Sequence, residues 1–393
     1  MGVLNPAWVL LPWLLALGCV SLLSRMRPLP PEAGRFATID GLRGHLAFGV
    51  FLHHGVIWHG FLRSGKWDAP PSAFFNHLGQ DSVVLFFMVT AFLFVGRLLD
   101  ARERPVDWLR LYVSRVLRLT PLYLLAMVVL FTLCGVLTDW ERHVPDRELR
   151  RAVWHWLLFS IGGKDNINGV PYTATLTAGV TWSLPLEWMF YLLLPTLALL
   201  MRRTAPLWLA AAGLACALGI WANNKEPTML WAFAGGGLVA WWVRRPAMQG
   251  WRPRPWHDGL VLLACAGAMV SAPNVHHTLP ILLLTVAFGL IASGCDLFGL
   301  LRLRVSQQLG DLAYSIYLLH GLLLFISLTF VLGRAQVSAY TPQAHWLWLS
   351  ALTPAVVTCA WLSFHTIERP AMRATDAWTA WVKHQCARLR QLA

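Results

Sequence analysis

Long apolar segments separated by short basic runs constrain this chain more than any other feature. Of its 393 residues 57% are hydrophobic and only 13% charged, with a mean hydropathy of +0.54, whereas a soluble domain carries roughly a quarter charged residues. Apolar runs near 20 residues match a hydrocarbon core of about 30 Å, and alternating them predicts an all-α polytopic membrane protein of about 11 transmembrane helices. The net charge of +13 invites a nucleic-acid partner, but the 32 Lys and Arg lie mostly at the ends of apolar segments. That is the signature of membrane topology, so no nucleic acid is expected. Cys19, Cys134, Cys216, Cys265, Cys295, Cys359 and Cys386 stand singly, mostly in or beside apolar segments. They form no CxxC or disulfide framework, and buried packing is their expected role.

Taken in order, residues 7–24 predict an uncleaved helix, followed by Arg25, Arg27 and Arg35. Those arginines place this end in the cytoplasm and the N-terminus outside. A helix over about 37–61 runs outward, and one over 78–99 returns to Arg97, Arg102 and Arg104. The segment YVSRVLRLTPLYLLAMVVLFTL leads out again, into a polar outer loop at 138–178 whose apolar piece VWHWLLFSIGG is too short to span. A re-entrant or interfacial helix is expected there. VTWSLPLEWMFYLLLPTLALLM then runs inward, and further helices are predicted over 205–222, 227–243, 257–272, 279–301, 308–331 and 346–366. The basic, Trp-containing C-terminal tail reads as a helix on the inner surface. The expected organisation is an additional helix and cytoplasmic loop at 1–35, a membrane domain at 36–373 and a cytoplasmic tail at 374–393.

Within this lipid-compatible chain DGLRGHLAFGVFLHH (40–54) sets Asp40, Arg43 and His54 into one helix. Ionisable groups at membrane depth mark function. At about 100° per residue His54 returns to within about 20° of the Arg43 face, about 16 Å along the axis, while His53 points about 80° away. Asp40, Arg43, Ala47 and His54 therefore form one stripe. Glu187 lies about 12 Å in from the outer end of its helix, at a depth where it could meet His54. Ser183 and Tyr191 extend its face, and Pro185 frees a backbone carbonyl. Asp311, Tyr314, Tyr317 and His320 recur at steps of three.

A histidine and a carboxylate at common depth suit proton transfer from a hydroxyl. Arg43, Arg115 and Arg118 near inner helix ends suit the phosphates of a donor entering from the cytoplasm. The plainer readings are interfacial anchoring for Arg115 and Arg118, a packing ion pair for Glu187 and a hydrogen-bonded core position for His320. A metal site from His53, His54 and His59 is not expected, because no third ligand shares their face. Intramembrane His, Glu and Arg would also serve a transporter, although neither internal repeats nor paired broken helices support one.

DGLRG with His54 eleven positions beyond Arg43, VVLFFMVTAFLF, SRVLRLTPLYLL, TWSLPLEWMFYLLLP, LGDLAYSIYLLH and SFHTIERPAMR occur in one order. Together they resemble acyltransferase family 3, the bacterial integral-membrane O-acyltransferases. The resemblance implies transfer of an acyl group, commonly acetyl, from acyl-CoA as co-substrate to a hydroxyl of a saccharide or related acceptor such as a glycolipid, often on the outer side of the inner membrane; no permanently bound cofactor and no metal are expected. It makes His54 the catalytic base and Glu187 the second group of the site. On the resemblance Arg43, Arg115 and Arg118 would serve the donor; the reading of the residues themselves adds Asp40 to that group and His53, Ser183, Tyr191, Tyr317 and His320 as support. Thr90 and Ala91 stand where many members have Ser-Gly, and Ala313 where Ser often precedes the Tyr. Some relatives carry a C-terminal SGNH esterase-like domain; its absence from this sequence leads to the expectation that transfer is completed in the membrane domain or by a separate partner protein.

Overall fold

In the computed structural model, which describes residues 2–26, 36–101, 105–248 and 250–392, every regular element is helical. A 3-10 turn at Pro6–Val9 enters α1 (Leu10–Met26), and α2 (Ala37–Ser64), α3 (Ala73–Asp100) and α4 (Trp108–Leu137) follow. The polar loop holds α5 (Asp146–Leu157) and the single turn α6 (Thr173–Leu176). Next come α7 (Ser183–Leu200), α8 (Leu207–Asn223), α9 (Pro227–Trp242), α10 (Pro255–Ser271) and α11 (Thr278–Ala292). The chain ends with α12 (Arg304–Asp311), α13 (Ala313–Ile326), α14 (Arg334–Ser338), α15 (Pro342–Ser363), α16 (Arg369–Arg373) and α17 (Thr375–Leu392). Arg27, Arg35, Arg102 and Arg104, on which part of the orientation expectation rests, lie outside the described residues.

Six helical stretches among the described residues are long and apolar enough to cross a membrane: Pro6–Met26, Ala73–Asp100, Trp108–Leu137, Val180–Leu200, Ala313–Val331 and Pro342–Arg373. The chain thus reads as a multi-pass membrane protein. Of the remaining expected spans, α8 and α11 are apolar but shorter. Helix α2 has ample length, about 42 Å at 1.5 Å per residue, but its polar stripe lowers its apolarity. Protein solves that problem, because α3, α12 and α13 pack around α2 and bury most of its side chains. Helix α1 packs on α15 and reaches α12.

The glycines of DGLRG bring α2 against α12 and the turn before it, Gly44 meeting Leu309 and Gly41 meeting Leu301. A Cβ at Gly41 would stand 2.0 Å from the Leu301 carbonyl oxygen, and one at Gly310 only 1.9 Å from that of Asp40. Small residues permit such backbone contact where lipid supplies little driving force for helix association. Gly41→Ala is therefore expected to destabilise the fold by about 3 kcal/mol, the upper end for overpacking, because the clash is with backbone. A lowered thermal midpoint in detergent checks it, and an unchanged midpoint would show that the helices can separate freely.

Several expected boundaries moved. The helix expected to 301 stops at Ala292 because the buried Asp258 carboxylate accepts the backbone N–H groups of Asp296, Leu297 and Phe298 at 3.0, 3.0 and 3.2 Å, folding the chain into a turn. The helix expected over 308–331 is divided at Leu312 into α12 and α13. In the polar loop at 138–178 α5 begins at Asp146 and ends inside the apolar piece, where Phe159 and Ser160 take positive φ. Pro185 falls in the first turn of α7, where its missing N–H breaks no intrahelical bond. Of the cysteines only Cys134 and Cys295 are buried, Cys216 and Cys386 being exposed. Buried packing is thus corrected for the two exposed ones.

The tail docks as helix α17 through Arg110–Asp376 and Lys383–Asp107, both at 2.7 Å. Asp107 also caps α4 by accepting the Arg110 N–H, and that bond with the Lys383 ammonium holds its carboxyl below the usual range.

Candidate active site

The stripe on α2 opens into two cavities. At its Asp40 end lies a large one of about 700 Å³, walled by α3, α4, α7, α12, α13 and α16. Among the described residues seven arginines line it: Arg43, Arg97, Arg115, Arg118, Arg304, Arg369 and Arg373. Arg43 is paired to Asp40 at 3.9 Å. Arg97 and Arg115 each lie 5.1 Å from the ring centroid of Phe94, and Arg115 also approaches the Tyr191 ring. Aromatic faces of this kind hold a guanidinium in place while leaving its N–H edge available.

Arg118, one turn along α4 from Arg115, is held by other partners. It lies 3.6 Å from the carboxylate of Glu368, whose side chain is fully buried. The Ser315 hydroxyl donates to that carboxylate, and Ser363 donates to Ser315 at 3.0 Å. Tyr314 lies under the guanidinium and donates its hydroxyl to the Leu119 carbonyl at 2.8 Å.

Glu187 lines the large cavity and accepts the Tyr191 hydroxyl one turn along α7. One turn the other way, Ser183 shares a 2.8 Å hydrogen bond with Tyr317, which donates to the Val180 carbonyl at 3.0 Å.

At the far end of the α2 stripe is a small cavity of about 80 Å³, bordered by His53, His54, Gln80, Trp182, Met229 and His276 among others. Val83 and Tyr317 are the described residues common to both linings. His54 Nδ1 lies 3.0 Å from His320 Nε2, and His320 Nδ1 lies 2.9 Å from the Ile316 carbonyl. The His54 ring is also stacked near Trp67, with centroids 6.3 Å apart. His53 turns away, its Nδ1 2.7 Å from the Phe75 carbonyl and its ring against Gly79.

The structure thus places Asp40, Arg43, Arg115, Arg118, Glu187 and Tyr191 around the large cavity and His53 and His54 beside the small one. Ser183 and Tyr317 stand near their boundary. The expected meeting of His54 with Glu187 is replaced by a His54–His320 pair, because α13 packs directly on α2. Among the described residues no group of three or more His, Cys, Asp or Glu is arranged to hold a metal ion.

Glu368 was missed, although SFHTIERPAMR was in view. An acidic residue at the end of an apolar helix was the available signal. In the sequence Arg97 stands out only as a topology marker, and Arg369 and Arg373 only as part of a motif.

Residues 36–365 match the family model of the acyltransferase 3 family, described as an acyltransferase domain. Among curated proteins, the acyltransferase MdmB of Streptomyces mycarofaciens is 25% identical over 389 residues, an alignment covering 88% of this chain and 94% of that protein. No solved structure gives a significant match.

Proposed function

This chain belongs to the acyltransferase 3 family and is a membrane acyltransferase, and from that premise we propose that it moves an acetyl group from acetyl-CoA to a hydroxyl of a saccharide or glycolipid. The observation that carries the reading is the pair of cavities, one cationic and one bearing His54, that share Val83 and Tyr317. Coenzyme A is a polyanion with a long thioester arm. Guanidinium groups bind its phosphates in forked, charge-assisted hydrogen bonds, and the roughly 16 Å from Arg43 to His54 suits the arm. The positive-inside pattern puts the arginine cavity at the cytoplasm and the His54 cavity outside. The protein then sits in the bacterial inner membrane with its N-terminus outside and C-terminus inside, in about eleven passes.

In the proposed reaction the acceptor hydroxyl enters at His54. His54 Nε2 takes its proton as the oxygen attacks the thioester carbon. A C–O bond forms, the C–S bond breaks with its electron pair going to sulfur, and the imidazolium returns the proton to that sulfur. Glu187, inside the donor cavity, is assigned to orienting the donor arm by accepting an amide N–H.

The test is CoA release by detergent-purified protein supplied with acetyl-CoA and a panel of saccharides and glycolipids. Acceptor-dependent release is expected; protein that neither binds CoA nor cleaves the thioester with any acceptor would overturn the reading. Arg115→Ala is expected to raise the KM for acetyl-CoA about tenfold, near the low end for a hydrogen bond to a charged group. The KM for acetyl-pantetheine, which has no phosphates, should stay put. An equal rise for both donors would remove Arg115 from phosphate binding.

A further inference from the structure

We propose that His320 is a positioning residue that holds His54 in the one neutral tautomer able to act as a base. The inference rests on the reading of His54 as the proton acceptor. Its observations are the two hydrogen bonds in series at 3.0 and 2.9 Å and the complete burial of His320.

The chain of donors runs one way. The Ile316 carbonyl can only accept, so His320 Nδ1 carries the proton of the 2.9 Å bond. A neutral His320 then presents a lone pair at Nε2. His54 Nδ1 faces that lone pair at 3.0 Å and is the donor, with the Val50 carbonyl one turn back on α2 also within reach of the ring. With its proton on Nδ1, neutral His54 has its lone pair on Nε2. Which ring nitrogen of a histidine is free is set by the bond the other one makes.

The surroundings explain why a histidine serves here. His320 is 0% exposed, with Phe51 and Tyr317 ring centroids at 6.2 and 6.3 Å. A carboxylate in that place would be a buried charge needing its own partner. Neutral imidazole accepts the Nδ1–H without adding charge, and its other nitrogen is satisfied within its own helix by Ile316, one turn back on α13. Among the described residues His320 lines neither cavity, and its assigned role runs through His54.

The experiment uses the full chain in detergent with ring-labelled histidine. Wild type, His320→Gln and His320→Leu are compared by kcat, by KM for acetyl-CoA and by nitrogen NMR of the His54 ring, its signals identified by their loss in His54→Ala. Wild type should show a protonated Nδ1 and a bare Nε2. In His320→Leu the tautomers should mix and kcat fall by about 10²-fold or more, with KM unchanged, as expected when a base loses the group that orients it. In His320→Gln the side-chain amide oxygen accepts the same N–H, so tautomer and most of kcat should return.

A proton on His54 Nε2 in the wild type would overturn the proposal, and that spectrum decides even if the leucine variant fails to fold. So would a folded His320→Leu variant with wild-type kcat and tautomer, or a His320→Gln variant that keeps the tautomer and loses kcat. Retained turnover in His54→Ala is a separate outcome: it removes the base itself and with it the functional reading.

Discussion

On the proposed mechanism His54→Ala is expected to lower acyl transfer by about 10²- to 10⁴-fold, the usual contribution of a positioned general base, while leaving donor binding intact. The separation follows from the cavities, since His54 borders the small one and is absent from the arginine-lined one. His54→Gln should fall equally far, because an amide fills much of the same space but takes up no proton at neutral pH. Turnover and CoA-induced thermal stabilisation measured on the same preparations check the two halves of this expectation. Loss of CoA binding together with activity would show that the histidine shapes the donor site instead.

The second large effect is on stability. Removing Glu368 strands Arg118, whose side chain is 14% exposed, without the carboxylate at 3.6 Å, and deprives Ser315 of its acceptor. Breaking a buried pair from one side typically costs about 3–5 kcal/mol. Arg118 faces a cavity into which water can enter, so Glu368→Ala is expected near the lower figure, about 3 kcal/mol. Replacing both partners with apolar residues of similar volume should recover much of that loss, since neither charge is then left unpaired. Donor binding would stay impaired in the double variant. Thermal unfolding of the single and double variants in detergent measures this, and a Glu368→Ala midpoint equal to wild type would show that Arg118 is satisfied by Met372 and Tyr314 alone.

Much of the frame was legible because membrane physics writes it locally. Helix α2 was expected over 37–61 and spans Ala37–Ser64, since one apolar stretch with one periodicity leaves little choice. The alignment of Asp40, Arg43 and His54 needed only the helical repeat. The partner of His54 was not legible in the same way, because His320 lies 266 positions away and meets it only through the packing of α13 on α2. The early end of α11 depends on Asp258, 38 to 40 positions upstream of the N–H groups it holds. The cationic cavity was only partly visible for another reason. An arginine at a helix end satisfies the topology rule whether it faces lipid headgroups or a cavity, so Arg97 looked like any other flank.

The boundary at Val83 and Tyr317 has a consequence for energy coupling. In the proposed exchange an acylium equivalent crosses that boundary outward while the hydrogen of the acceptor finishes on the sulfur left behind. One positive equivalent leaves and one arrives, so a complete turnover carries no net charge through the membrane. A single uncompensated charge would tie the reaction to the membrane voltage by about 2.3 kcal/mol per 100 mV. With none, the thioester supplies the whole driving force of the proposed exchange, and its equilibrium would be the same across an energised or a depolarised membrane.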